Sequence, residues 1–281
     1  MKAIEIKNLN KIYDDFELKD VSFDVYQGTV MGLIGANGSG KTTILKSILS
    51  IIKYDGDIRI LGEEISKDIK DEINSVFEEY FIGEYLNAKE VDKIYSEIYS
   101  KWDSNYFYEL LDKFDIATDK KYKDFSKGMK IKLKIAIALS SRPKLLILDE
   151  PTSGLDPVIR SEILDIFLEY MEDENNTILI SSHITTDLEK IADYITFIND
   201  GEVIFTEEKY DLEENYGIVR VSEEDFKKID KRFIKKFKKE KYQINVLVDN
   251  LHEFEKTYPS FVVDRSTIDE IMVLYLRGEE A

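Results

Sequence analysis

Gly35-Ala36-Asn37-Gly38-Ser39-Gly40-Lys41-Thr42 follows an unbroken apolar run, Val30-Met31-Gly32-Leu33-Ile34. It leads into Thr42-Thr43-Ile44-Leu45-Lys46-Ser47-Ile48-Leu49, where apolar residues fall at helical spacing. A buried strand, a glycine-rich loop and a helix, in that order, form the context that G-x-x-x-x-G-K-[ST] requires of an anion-binding loop. Glycines let the amides of Asn37, Gly38, Ser39 and Gly40 turn inward around a phosphate, and the helix start through Lys41, Thr42 and Thr43 adds positive potential. Lys41 reaches the β- and γ-phosphates and the Thr42 hydroxyl ligates Mg²⁺, so the pattern selects a nucleoside triphosphate.

Further along, Leu145-Leu146-Ile147-Leu148-Asp149-Glu150 sets two adjacent carboxylates just past a second buried strand, where ligands collect in open α/β sheets. Asp149 suits the Mg²⁺ shell and Glu150 suits activation of a water. Thr177-Ile178-Leu179-Ile180 is a third buried strand, with an amphipathic segment, Ser161 to Met171, before it. Strands alternating with helices predict a largely parallel sheet with both faces covered.

Around this core the pattern changes twice. Ala3 to Lys7, Val21 to Val25 and Asp57 to Ile60 read as half-buried strands, which predicts an N-terminal antiparallel β-subdomain. From about Glu72 to Tyr122 the chain reads as helical and rich in aromatics, with Tyr95, Ile98, Tyr99 and Trp102 at i, i+3, i+4 and i+7. From about Asn215, Ile218 to Val221, Ile244 to Val248 and Phe261 to Val263 read as short strands, with capping boxes at Ser222 to Asp225 and Ser266 to Asp269. The expected division is residues 1–214, with a helical insert over about 79–135, and an accessory α/β domain over 215–281.

Composition narrows the partners. With 39 basic against 57 acidic side chains and a net charge of −18, the 281-residue chain lacks the basic footprint of a nucleic-acid binder. The exception runs from Phe226 to Lys241, read as a solvated helix face, with contact to anionic lipid or a partner chain as the alternative. There is no cysteine, and the two histidines, His183 and His252, are too few for a histidine-rich metal site. No apolar run reaches the roughly 18 to 20 residues that cross a bilayer. The first residues lack the apolar stretch of a secretory signal, so a cytoplasmic location is expected.

The remaining landmarks stand in the order found in the ATP-binding subunits of ABC transporters, which this chain resembles over roughly residues 1–210. Phe125-Ser126-Lys127-Gly128-Met129 is similar to the family signature L-S-G-G-Q, Ser153-Gly154-Leu155-Asp156 to the D-loop, and His183 to the switch histidine. Tyr13 sits where the family stacks an aromatic on adenine. The resemblance implies a P-loop NTPase core of ABC type and a composite site shared by two cassettes facing head to tail. Ser126, Gly128 and Asp156 of one cassette would then serve ATP held on the other. It also implies a catalytic set of Glu150, His183 and Lys41, a Mg²⁺ site at Thr42 and Asp149, and a separate membrane permease, with this chain peripheral on the inner face of the cell membrane. The ending from Ser266 to Glu279 and the divergent signature are similar to ABC-2-type exporters, including those moving antimicrobial or amphipathic peptides.

Three features depart from the family pattern. The switch glutamine is replaced by Glu78, which accepts hydrogen bonds and approaches Mg²⁺ but does not donate when ionised. Lys127 and Met129 replace a glycine and a glutamine of the signature. From Met129 to Ile137 apolar residues alternate with Lys130, Lys132, Lys134 and Ala136, a strand period taken alone; the resemblance and the good helix formers favour a helix. Two rivals remain: a soluble ABC-class ATPase, and an ATP-sensing regulator that does not turn nucleotide over.

Overall fold

The computed structural model describes residues 1–77 and 82–280. They divide into two units, residues 1–206 and 207–281. In chain order the first elements are β1 (Lys2–Ile12), β2 (Glu17–Tyr26), β3 (Val30–Ile34), α1 (Lys41–Ile48), β4 (Asp55–Ile60), α2 (Lys67–Lys70) and β5 (Ile73–Val76). Next come α3 (Ala88–Ile98), α4 (Ser104–Lys113), α5 (Lys127–Ser140), β6 (Leu145–Asp149), α6 (Pro157–Tyr170), β7 (Thr177–Ser182), α7 (Thr185–Ile191), β8 (Tyr194–Asn199) and β9 (Glu202–Glu208). The remaining elements are α8 (Lys209–Asn215), β10 (Gly217–Val221), α9 (Glu223–Phe226), β11 (Ile234–Lys239), β12 (Ile244–Val248), α10 (Leu251–Thr257), β13 (Val263–Arg265) and α11 (Ile268–Arg277).

A six-stranded sheet of order β5-β6-β7-β3-β8-β9 organises the first unit. Its inner strands pair in parallel, and every residue of β3 and β7 is buried, which is why both read as continuous apolar runs rather than alternating ones. β3 lies between β7 and β8, and β7 between β6 and β3. The carboxyl ends of β6, β7 and β3 are therefore neighbours, and the three loops that leave them meet at one edge. A second sheet, β2-β1-β4, is antiparallel. Its inward residues, among them Ile4, Ile6, Val21, Phe23, Ile58 and Ile60, share one apolar core with Met31, Leu33, Ile44, Leu45 and Leu179. Each such side chain contributes about 1.5–3 kcal/mol through burial.

The segment after Ser126 is the helix α5, capped where the Met129 amide donates to Ser126 Oγ at 3.2 Å. The two-residue period misleads because this helix is enclosed on most sides: Lys132 and Lys134 are buried along with Leu133, Ile135 and Ile137. Lys132 pairs with Glu162 at 2.5 Å and lies over the Phe114 ring, while Lys134 donates to the Phe77 carbonyl at 3.2 Å. A buried ammonium with such partners occupies a core position that an apolar residue would otherwise fill.

The structure corrects the reading of the chain in four places. The region from Glu72, expected to be helical, begins with strand β5, which pairs in parallel with β6. The basic stretch expected to be a helix face includes instead the strand β11, at one edge of a four-stranded antiparallel sheet β11-β12-β10-β13 in the second unit. Lysines at 235, 236, 238 and 239 blunt that edge, and the Glu279 backbone exchanges two hydrogen bonds with Phe237. The last strand is Val263–Arg265 rather than Phe261 to Val263. The final capping box is Thr267 with Glu270, one residue later than expected. This unit has its own core, in which Val219, Val246 and Val248 pack with Phe233, Phe237 and Phe254.

Two positions in the first unit offer tests of the packing. Gly201 has φ +79°, and a Cβ there would fall 1.9 Å from the Glu17 carbonyl oxygen, where Gly201 also accepts the Lys19 amide at 2.9 Å. Gly201→Ala is expected to lower unfolding free energy by about 2–4 kcal/mol in urea denaturation. Asp103 caps α4 by accepting the Tyr106 amide at 3.0 Å, and Arg142 donates to it at 2.7 Å. These two contacts hold the Asp103 carboxyl below the usual carboxylate range. A lowered pKa means that the associated stability is present above the ordinary carboxylate pKa and is lost as pH falls through the folded value. Asp103→Asn keeps a capping oxygen and removes the charge. Solvent screens this exposed pair, so the variant should cost roughly 0.5 kcal/mol at neutral pH. The difference from wild type should begin to narrow in melts as pH falls below about 4 and close once pH passes the lowered folded value.

Candidate functional site

The loop after β3 turns through Gly38 at φ +83° and Gly40 at φ +111°, a conformation that favours glycine at both places. The turn is closed by the Ser39 amide donating to the Ala36 carbonyl at 3.1 Å, and α1 then opens at Lys41. Lys41 is buried, and its ammonium donates to the carbonyls of Gly35 at 2.8 Å and Ala36 at 3.2 Å, with Glu150 Oε1 3.4 Å away. The beginning of α1 and this loop border a cavity of about 450 Å³ whose walls include Asn37, Gly38, Gly40, Lys41, Thr42, Thr43 and Glu150.

The loop after β6 supplies the carboxylates. Asp149 stands opposite Ser181 in the β6–β7 register and accepts from two hydroxyls: Thr42 Oγ1 at 2.8 Å and Ser181 Oγ at 2.7 Å. Glu150 has φ +49°, an uncommon conformation for a residue with a Cβ, and its amide is fixed by the Ser181 carbonyl at 3.2 Å and Ser181 Oγ at 3.0 Å. That turn brings Glu150 Oε2 to 2.6 Å from His183 Nδ1, and the His183 amide donates to the same oxygen at 3.3 Å. Lys41, Thr42, Asp149, Glu150 and His183 thus form one connected set, drawn from three loops.

The arrangement can neutralise a polyanion with Lys41 and the loop amides, and hold a water beside Glu150 with His183 next to it. Thr42 and Asp149 are hard oxygen donors in mutual contact, which suits Mg²⁺. Among the described residues no three His, Asp or Glu side chains gather into a metal cage. That donor set fits an ion shared with substrate oxygens and water, the usual habit of Mg²⁺. Another cavity, of about 240 Å³, is bordered by Glu72, Lys101, Arg142 and Lys144 and shares no residue with the first. Its cations already pair with Glu72 and Asp103.

Other expected site residues lie elsewhere. Tyr13 is 45% exposed with Lys11 over its ring, and the aromatic that borders the cavity is Phe16, whose ring lies against Gly40. Ser126 is exposed at the start of α5, and Gly128 is buried where a Cβ would come within 2.7 Å of Ile159 Cδ1. Asp156 caps α6, accepting the Val158 and Ile159 amides at 3.1 Å. None of Ser126, Gly128 and Asp156 borders the cavity beside Lys41. Glu78 lies outside the described residues. Sequence reasoning missed Ser181 and Phe16. The signal for Ser181 was a hydroxyl at the end of an otherwise apolar strand; for Phe16 there was only its closeness to Tyr13 in the chain.

Comparisons with known proteins find relatives of this chain among ATP-binding proteins of transporters. A family model described as ABC transporter matches residues 18–153. The ABC transporter ATP-binding protein YtrB of Bacillus subtilis is 37% identical over 218 residues, covering 76% of this chain and 74% of its own length. The lantibiotic transport ATP-binding protein SrtF of Streptococcus pyogenes is 40% identical over 216 residues, 75% of this chain and 93% of its own. The bacitracin transport ATP-binding protein BcrA of Bacillus licheniformis is 36% identical over 208 residues, 72% of this chain and 68% of its own. A solved structure of the ATP binding subunit of an ABC transporter superposes with a TM-score of 0.67 at 28% identity, covering 75% of this chain and 91% of that one.

The placement of the two aromatics is testable. Phe16→Ala is expected to weaken nucleotide binding by about fivefold to tenfold, and Tyr13→Ala by less than about twofold, in titrations with a fluorescent nucleotide.

Proposed function

This chain belongs to the ABC transporter family as an ATP-binding subunit, and we propose that it hydrolyses ATP in a site completed by a second cassette, driving export through a separate membrane permease. The observation that carries the reading is the connected set of hydrogen bonds and one ion pair that links Lys41, Thr42, Asp149, Glu150 and His183, with Ser181 between the two acids. Lys41 now spends its protons on its own loop's carbonyls and on Glu150. The β- and γ-phosphate oxygens of ATP would draw it away from Glu150 and free that carboxylate for water. Bound through Thr42 and Asp149, Mg²⁺ would supply neutralisation of charge on those oxygens.

Glu150 then polarises the attacking water, with its second oxygen oriented by His183, and His183 and Lys41 offset charge at the γ-phosphoryl group. Ser126 is exposed at the N-terminus of a 14-residue helix and borders no part of the cavity beside Lys41, so its free amides and hydroxyl suit a γ-phosphate held by another cassette. Asp156 and Gly128 would serve the same trans interface, and Glu78 would link nucleotide to the helical insert. Closure of two cassettes on ATP, and release on hydrolysis, make the nucleotide the bias on a two-state motor.

No helix among the described residues is long and apolar enough to cross a membrane, which fits a subunit that borrows its pathway from a permease and sits at the inner face of the membrane. Transport of peptide antibiotics is the cargo class we favour, from similarity to the lantibiotic and bacitracin transport proteins.

Glu150→Gln tests the mechanism. It should retain ATP binding, lose about a hundredfold or more of turnover, and accumulate an ATP-dependent dimer visible by size-exclusion chromatography with light scattering. Hydrolysis at the wild-type rate would remove Glu150 from the chemistry.

A further inference from the structure

Behind the site lies a buried polar knot that the hydrolytic chemistry above does not use. Asp187 occupies the first turn of α7, four residues after His183, and is 3% exposed. Both of its carboxylate oxygens are taken. Thr152 Oγ1 donates to Oδ2 at 2.6 Å, and Arg160 Nη2 pairs with Oδ1 while also reaching Thr186 Oγ1 at 3.5 Å. Thr152 is itself 1% exposed, and a buried hydroxyl with one carboxylate partner has little freedom to move without losing it.

The three residues belong to three pieces of the site. Thr152 stands two residues after Glu150, and its carbonyl accepts the Leu155 amide at 3.3 Å, which begins the turn toward Asp156. Arg160 is on the first turn of α6, where its amide donates to the carbonyl of the cap residue Asp156 at 3.0 Å. Asp187 belongs to the helix that follows His183 directly. On the outside of the same helix pair, Lys190 reaches Ser161 at 3.2 Å and Asp165 at 2.7 Å, an exposed tie of the kind that contributes little by itself. The buried carboxylate therefore ties the far part of the loop, through Thr152, and the start of α6, through Arg160, to the helix after His183. The near end of the loop is joined to the same segment directly by Glu150, which contacts His183 and Ser181.

We infer that Asp187 is a positioning residue. It makes the Asp156 loop, Glu150 and His183 move as one body, so that contact of Asp156 with the opposing cassette places Glu150 and His183 together, already 2.6 Å apart, against the γ-phosphate. The inference rests on the two-cassette reading above and adds the device that carries closure to the hydrolytic pair. Without this tie the stretch from Thr152 to Asp156 could shift while Glu150 and His183 stay paired, and the cassettes could meet without placing that pair against the phosphate.

The experiment uses the full chain with Mg²⁺ and ATP, comparing steady-state hydrolysis with nucleotide affinity measured by titration of a fluorescent ATP. Thr152→Val keeps the side-chain shape and drops the hydroxyl. It should lower kcat about tenfold with nucleotide affinity within about twofold of wild type, whereas Thr152→Ser should stay within about threefold. Arg160→Met, at a side chain that is 23% exposed, should reproduce the loss and keeps the test usable if Thr152→Val folds poorly. The double variant should fall no further than its slower parent, because both act through one carboxylate. Wild-type kcat in Thr152→Val and Arg160→Met overturns the inference, as does a Thr152→Ser variant as slow as Thr152→Val, or affinity falling in step with kcat. A wild-type chain that binds ATP and never hydrolyses it overturns the two-cassette reading as well; active wild type with indifferent variants overturns this inference alone.

Discussion

Asp149 accepting from both Thr42 and Ser181 is the joint on which the site depends. Its two oxygens touch the loop-to-helix segment after β3 and the end of β7, while its own main chain is the end of β6. One carboxylate at a sheet edge thereby registers three loops against each other. The geometry follows from strand order: with β7 between β6 and β3, all parallel, the residues at their carboxyl ends have no other place to go. Ser181 extends the joint by fixing the Glu150 amide, so the strained backbone at Glu150 is held by the strand beside it.

The parts of this arrangement legible in sequence were those where one residue type has one physical use. Glycines at 38 and 40 answer to positive φ, and unbroken apolar runs to strands buried on both faces. The same logic failed where burial and polarity part company. Lys132 and Lys134 look like the outward half of a strand, yet they lie inside, paired with Glu162 and the Phe77 carbonyl. Partners so far along the chain leave no local periodicity to read. At Ile234 to Lys239 the lysines that suggested a solvated helix instead guard the edge of a sheet, since charge on an edge strand and charge on a helix face look alike in composition.

Residues that act through register were less visible than residues that act through chemistry. Ser181 is one hydroxyl among many in the sequence, and only the pairing of β6 with β7 sets it opposite Asp149. Phe16 and Tyr13 are three positions apart, either could border a planar ligand, and the turn in which the Tyr13 amide donates to the Phe16 carbonyl decides between them. Asp187 is similar: nothing distinguishes it locally from other acids of an acidic chain, and its partners are 27 and 35 residues away.

A chain of net charge −18 that grips a polyanion poses an apparent conflict, which distance resolves. At physiological salt the Debye length is about 8 Å, so acids scattered over the surface are largely invisible to a phosphate in the loop. What the phosphate meets is a short-range field from inward amides, a helix start and one buried ammonium. Glu150 is the nearby acid that matters, and here it lies 3.4 Å from that ammonium. In the proposed mechanism the pair is self-compensating: Lys41 shields the loop from Glu150 before substrate arrives, and transfer of Lys41 to phosphate would leave the Glu150 carboxylate to the water and to His183. The compositional argument against a nucleic-acid partner and the argument for a nucleotide thus act at two length scales. A long polyanion would sample the whole acidic surface, whereas a small one would sample only the loop.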